Sequence, residues 1–239
     1  MSIGSKNNPT GSQAVTLPQI FHKNINYQVK TAIVSILLLG GASFGAAFLY
    51  YKSGSVTGQG DHVGQPVQFT HEHHVSGLGL DCRFCHFSVE RSSFAQVPQT
   101  KVCMTCHSQI YTEEPMLEPI RESWKSDQPI EWVRVHNLSD FVYFNHSVHV
   151  NKGIGCAECH GRVDQMALIN QAETLHMAWC LQCHIEPEKH IRPKDQITNM
   201  TYEHPVSPDE KIAGMEMTQA ELAEHYNVQS KVSCSVCHR

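Results

Sequence analysis

The sequence has no acidic residue before Asp61, no second long apolar run, and no cysteine outside one repeated five-residue pattern. Each absence excludes something. Gly, Pro and turn residues interrupt every apolar stretch but one, which rules out a multi-span membrane protein. A formal net charge of −5 offers no phosphate-neutralising surface, so nucleic acid is not an expected partner. At 239 residues the chain has room for one or two domains.

What is present is more specific. The ten cysteines form Cys82-Arg83-Phe84-Cys85-His86, Cys103-Met104-Thr105-Cys106-His107, Cys156-Ala157-Glu158-Cys159-His160, Cys180-Leu181-Gln182-Cys183-His184 and Cys234-Ser235-Val236-Cys237-His238. Composition alone would yield about 0.03 such C-x-x-C-H units in a chain of this length, so five are not accidental. Two thiols three positions apart can each form a thioether with one vinyl group of a haem, and the histidine that follows is held under the iron. The expected cofactors are therefore five covalently bound haem c. Their attachment points are Cys82, Cys85, Cys103, Cys106, Cys156, Cys159, Cys180, Cys183, Cys234 and Cys237, and the proximal ligands are His86, His107, His160, His184 and His238. A disulfide framework would not demand a histidine after every second cysteine. A zinc ribbon needs two C-x-x-C pairs per metal and no fixed fifth residue.

From 31 to 51 the chain runs without a charge, about 21 residues that would span roughly 30 Å as a helix. Lys30 and Lys52 bracket this run, and Tyr50 and Tyr51 are placed as interfacial anchors. Lys6, Lys23 and Lys30 precede it, so the positive-inside rule keeps segment 1–30 cytoplasmic and exports everything beyond residue 52. A cleaved signal peptide is the competing reading, but the run exceeds the 7–15 apolar residues of a signal core. A retained single-pass anchor in a bacterial inner membrane, with the haem domain periplasmic, is expected. Gly40, Gly41 and Gly45 give the span a small face on which another helix could pack.

Residues 52–68 are rich in Gly and Ser and read as a flexible linker. The periplasmic pentahaem domain, 69–239, contains an internal repeat. Phe69-Thr70-His71-Glu72-His73-His74 precedes two haem motifs in module 69–107, and Phe144-Asn145-His146-Ser147-Val148-His149 precedes two more in module 144–184. The fifth motif, 234–238, follows a stretch in which Thr218-Gln219-Ala220-Glu221 is a capping box for a short helix to about Val228. The expected fold is a multihaem cytochrome c: mostly irregular, with short α-helices packed on closely spaced haems, plus one N-terminal transmembrane helix.

Twelve histidines remain beyond the proximal five. A histidine as sixth ligand saturates an iron and favours low-potential electron transfer, whereas a methionine raises the potential. Two imidazoles three apart project from one face of a turn, so His71, His74, His146 and His149 are the expected distal ligands. His73 is a weaker candidate, and His22 falls on the wrong side of the membrane. One iron is left over. Met177, three residues before Cys180, is the leading candidate for it, with Met166, His136, His176, His190 and His204 as alternatives.

The F-x-H-x-x-H leader before C-x-x-C-H resembles the class III cytochromes c, in which the first histidine serves the next haem and the second a haem elsewhere in the chain. The anchor, the five motifs, Val97-Pro98 before the second motif, and Gly161-Arg162-Val163-Asp164-Gln165-Met166 leading to Met177-Ala178-Trp179-Cys180 together resemble the pentahaem subunit of alternative complex III over residues 31–239. That resemblance implies an electron-transfer subunit, not itself an enzyme, of a membrane complex that oxidises quinol and passes electrons to a cytochrome c or a terminal oxidase. It also implies partners: an iron-sulfur subunit resembling molybdopterin oxidoreductases, multi-span quinol-binding subunits and a monohaem cytochrome c.

Two rival functions have weaker support. A stand-alone membrane-anchored multihaem quinol dehydrogenase brings its first haem motif close to the anchor, whereas 30 residues separate Tyr51 from Cys82. A multihaem reductase needs an iron with an open position, and this sequence supplies more ligands than irons.

Overall fold

The computed structural model describes residues 20–238. Residues 1–19, which include Lys6 and most of the segment expected in the cytoplasm, lie outside the described residues, as does Arg239. The chain divides into two compact units between Tyr50 and Tyr51.

The first unit contains the helix Ile25–Tyr51, 27 residues and therefore about 40 Å long. Its most apolar stretch has a mean hydropathy of 2.1, and none of its residues is buried. A core helix of a soluble protein would cover one face. Among the described residues this is the one helix long and apolar enough to cross a membrane. It begins at Ile25 rather than at Thr31, where the apolar run starts. Its first N–H groups have no intrahelical partner, and a polar turn through Asn26, Gln28 and Lys30 places them where water can satisfy them. Added Cβ atoms at Gly40, Gly41 and Gly45 would meet nothing within 4 Å, so the small face is open.

The second unit consists of short helices and irregular chain. Isolated bridges take the place of any strand ladder among the described residues. Every C-x-x-C-H motif forms or ends a helical turn: Cys82–Cys85, Thr100–His107, Cys156–His160, Met177–Ile185 and Cys234–Cys237. Asp81 caps the first of these by accepting from Arg83 N at 2.8 Å. The expected capping box also forms. Thr218 Oγ1 accepts from Glu221 N at 3.2 Å and Glu221 Oε2 from Thr218 N at 2.8 Å. The helix ends at His225, short of Val228, because Asn227 turns into the left-handed region at φ 49°.

Residues 53–68 are not a free tether. Gly60 N donates to Gln171 O at 2.8 Å, the Gln59 amide to Ala172 O at 2.7 Å, and the Gln65 side chain exchanges two hydrogen bonds with the backbone of Val133. Val67 is fully buried. Glycine content suggested flexibility, but the turn at Gly54 uses glycine for close approach: a Cβ there would stand 2.6 Å from Gln59 O.

Among the described residues one conventional apolar core forms, mostly from the C-terminal part of the chain. Ile191, Ile212, Leu222 and Ala223 are buried together, with Ile154, Met217, Tyr226 and Val228 packed against them. Outside that cluster the buried apolar side chains are Val67, Ile120, Val150 and Ile197, while Phe84, Phe87, Phe94 and Phe141 stand exposed beside the motifs. The polypeptide by itself buries little apolar surface around the first two motifs.

Arg192 fastens the core to the third motif. Its backbone N donates to Gly153 O at 2.8 Å, its guanidinium donates to Asn199 O at 3.0 Å and pairs with Glu158, and the group lies 4.6 Å over the Tyr202 ring. On the other side Gly155 leaves the space: a Cβ there would sit 2.3 Å from Arg192 Cζ. Burial works against the charge on Glu158, yet hydrogen bonds from His190 and His204, with the nearby Arg192 charge, hold its carboxyl well below the usual range.

Candidate haem-attachment centres

The helical turn of each motif brings its two cysteines onto one side and carries the histidine at or just past the turn's end. All ten cysteines are free of disulfides. No group of three or more His, Cys, Asp or Glu side chains forms a metal cage among the described residues, so neither the disulfide nor the zinc alternative is supported.

The orientation of the imidazoles tests whether a haem iron fits. His86 Nδ1 bonds Gln96 O at 2.7 Å, His107 Nδ1 bonds Ile110 O at 3.3 Å, His184 Nδ1 bonds Lys231 O at 2.9 Å and His238 Nδ1 bonds Phe141 O at 3.1 Å. His160 differs: its Nδ1 meets His136 Nε2 at 3.2 Å. In every case Nδ1 is engaged, which leaves Nε2 as the free lone pair for a metal and fixes the ring's direction.

Three of the four leader histidines follow the same rule. His74 Nδ1 bonds Thr70 O at 2.9 Å, His149 Nδ1 bonds Asn145 O at 2.8 Å and His146 Nδ1 bonds Ser93 O at 3.0 Å. His71 Nδ1 is buried without a hydrogen-bond partner. Burial, reinforced by nearby His86 and His74, pushes His71 down to about 4, and burial lowers His146 and His149 as well. His160 is pushed down to about 3, again chiefly by burial. These imidazoles are neutral at physiological pH, the form that binds iron.

Three ring pairs face each other at a common spacing. The centroids of His74 and His107 are 6.4 Å apart, those of His149 and His184 6.1 Å, and those of His146 and His160 6.4 Å. Two imidazoles on one metal, each about 2 Å from it, place their ring centres about 6 Å apart. Their interplanar angles of 61°, 60° and 8° are all compatible, because rotation about the shared axis leaves both nitrogens on it. The residues present therefore fit bis-histidine haem.

The phenylalanine of each leader holds both of its histidines. Phe69 stacks on His74 at 4.4 Å and meets His71 edge-on at 4.8 Å, and Phe144 repeats this with His149 at 4.5 Å and His146 at 4.7 Å. The repeat thus extends to ring geometry, although one leader is a π-helical turn, Glu72–Gly77, and the other an α-helix, His146–Asn151.

Each leader is also clasped by the opposite module. His146 N and Ser147 N donate to Ser93 O and Ser92 O at 3.2 and 3.1 Å, just after the first motif. Glu72 N donates to Met166 O at 3.1 Å, just after the third. Ser92 follows His86 by six residues and Met166 follows His160 by six, so the two clasps are equivalent.

The remaining candidates fall elsewhere. Met177 opens the helix of the fourth motif and is 65% exposed. Met166 Cε lies near Gly161. His136 stands on the Nδ1 side of His160, His204 and His190 on Glu158, and His176 caps the Met177–Ile185 helix. His73 is exposed, edge-on to His74, and His22 accepts a local hydrogen bond from Asn24 N. The phenylalanine clamp and the His136–His160 bond were missed by sequence reasoning. The clamp was visible as the shared F of both leaders; the second had no signal.

These features are similar to those of a c-type cytochrome with several haem-attachment centres. No family profile matches the chain. Over 186 residues it is 29% identical to the multihaem cytochrome c subunit of menaquinone reductase from Nitratidesulfovibrio vulgaris Hildenborough, covering 73% of this chain and 77% of that relative. This distant relationship supports covalently bound haem c and a subunit of a quinone-linked membrane complex.

Proposed function

We propose that this chain is the electron-relay subunit of a membrane quinol-oxidising complex, passing electrons through five c-type haems to a cytochrome c or terminal oxidase, as the resemblance to alternative complex III implies. Three pairs of Nδ1-anchored imidazoles support this reading: each pair would saturate one iron and leave it no open position for a substrate. Haem c, when attached, supplies a one-electron couple. The chain's own residues would fix the direction of the ligands and clasp the two modules together.

In this reading residues 31–51 anchor the chain, 69–239 form the periplasmic pentahaem domain, and the partners are an iron-sulfur subunit, multi-span quinol-binding subunits and a monohaem cytochrome c. Met177 is proposed as the sixth ligand at the centre that the leader histidines do not serve.

The relative is part of a menaquinone reductase, which favours as a second reading the opposite direction of flow, towards quinone. Gentle purification from membranes and addition of quinol decides between them. Rapid haem reduction by quinol supports the first reading; haems that stay oxidised with quinol, and once reduced pass electrons to quinone, support the second. Carbon monoxide added to the reduced protein should leave its spectrum unchanged. Stoichiometric binding at one haem would mean an open iron and a reductase instead.

A further inference from the structure

The five-haem reading leaves open how the centres follow one another in space. We infer that the attachment motifs form one unbranched file in the order second, first, third, fourth, fifth, with His107 and His238 at its two ends. The inference rests on the five-haem reading.

The central link joins the first and third motifs. Ile197 O accepts from Cys156 N at 3.0 Å, and the hydroxyl of the next residue, Thr198, donates to the Asp81 carboxylate at 3.1 Å. Asp81 caps the Cys82 turn. Two consecutive residues therefore hold the opening turns of both motifs side by side. The clasps of each leader by the opposite module close the same junction.

The second motif attaches on the outer side of the first. His74 faces His107, while His71, three residues earlier in the same turn, lies beside His86. Cys103 has Cys85 as its cysteine neighbour. The helix packed on this motif is Glu118–Ser126, from the chain between the modules, tied to it by the Thr100–Ser123 hydroxyl pair at 2.6 Å.

By the repeat, the fourth motif attaches to the third. His149 faces His184 while His146 faces His160, and Cys159 lies beside Cys183 and Cys180. The fifth then follows the fourth. The Ser230 hydroxyl donates to His184 O at 2.8 Å, Lys231 O receives His184 Nδ1, and Cys180 neighbours Cys237. Tyr143 N closes the other side by donating to Cys237 O at 2.8 Å. The two modules thus meet head to head, and the fifth motif extends one arm only.

Locating the irons in the haem-loaded full chain, by anomalous scattering at the iron absorption edge, tests the order on the wild type. Each iron's nearest neighbours should follow the file given above. A second-motif iron between the first and third, or a fifth-motif iron nearest any but the fourth, overturns the order. Fewer than five irons, with the rest still in this sequence, would fail the five-haem reading alone. A second measurement uses a ruthenium photoreductant on Gln109→Cys, beside the second motif. Electrons injected there should reach the fifth haem last; arrival at the fifth before the third would overturn the file.

Discussion

His160 is held by another imidazole, His136, where the other four proximal histidines are held by backbone carbonyls. If His160 Nε2 binds iron as proposed, its Nδ1 would carry the proton and His136 Nε2 would accept it. Burial lowers the pKa of His136 and keeps it neutral for that role.

Such a bond makes the ligand more basic and stabilises ferric iron. Removing it in His136→Ala should raise one of five midpoint potentials by about 40 mV, the one-electron equivalent of a hydrogen bond worth ~1 kcal/mol. His136→Gln keeps an acceptor and should restore most of the value. Potentiometric titration checks both variants, and unchanged potentials in the alanine variant would remove His136 from the centre.

The four leader histidines should each control one spin state. His71→Ala, His74→Ala, His146→Ala and His149→Ala are each expected to turn one low-spin haem high-spin, visible in the ferric EPR spectrum. The facing-ring geometry makes this most direct for His74 and His149. Two or more variants that keep five low-spin haems would sink the assignment.

A methionine ligand gives a weak near-infrared charge-transfer band and a higher potential. Met177→Leu preserves bulk but removes the sulfur lone pair, so the band should vanish and one midpoint potential should fall, while Met166→Leu leaves both unchanged. Loss of the band in Met166→Leu alone would move the ligand there. A wild type without any such band would make all five haems bis-histidine.

Gly155→Ala drives a Cβ into the Arg192 guanidinium. If Arg192 moves, its buried guanidinium loses Glu158, which keeps His190 and His204, and breaking a buried pair on one side costs about 3–5 kcal/mol. Denaturant unfolding followed by Soret circular dichroism should show a loss of about that size. A change below ~1 kcal/mol would mean that the guanidinium has room to shift.

The Arg83 side chain beside Asp81 holds its carboxyl down to about 2, from 3.8. A depressed carboxylate contributes stability above its unfolded pKa and loses it as pH falls through the folded one, so the affected window is pH 4 to 2. Asn at this position still caps the turn. Asp81→Asn should therefore flatten the acid limb in that window, and only slightly, because the pair is largely exposed. An acid-unfolding profile identical to wild type would assign no part of that limb to Asp81.

What was legible in the sequence was local or repeated. C-x-x-C-H fixes its own turn because five consecutive residues are enough to place two thiols and an imidazole. The leader histidines were legible because the pattern occurs twice. The docking of 53–68 was not, since Gln59 and Gln65 find their partners at Ala172 and Val133, and glycine content describes freedom rather than its use. The His136–His160 bond and the order of the motifs were hidden for the same reason: they depend on contacts between residues far apart in the chain.

The mutual clasp has a consequence for how the chain comes to be folded. Ser92 waits for Ser147, Glu72 for Met166, Asp81 for Thr198 and Phe141 for His238. A fragment ending between the duplicates would keep its own imidazole pairs, such as His74 with His107, but lose the backbone bonds that hold each leader in place. Each of these contacts joins residues far apart in the chain, and such high sequence separation makes their closure slow.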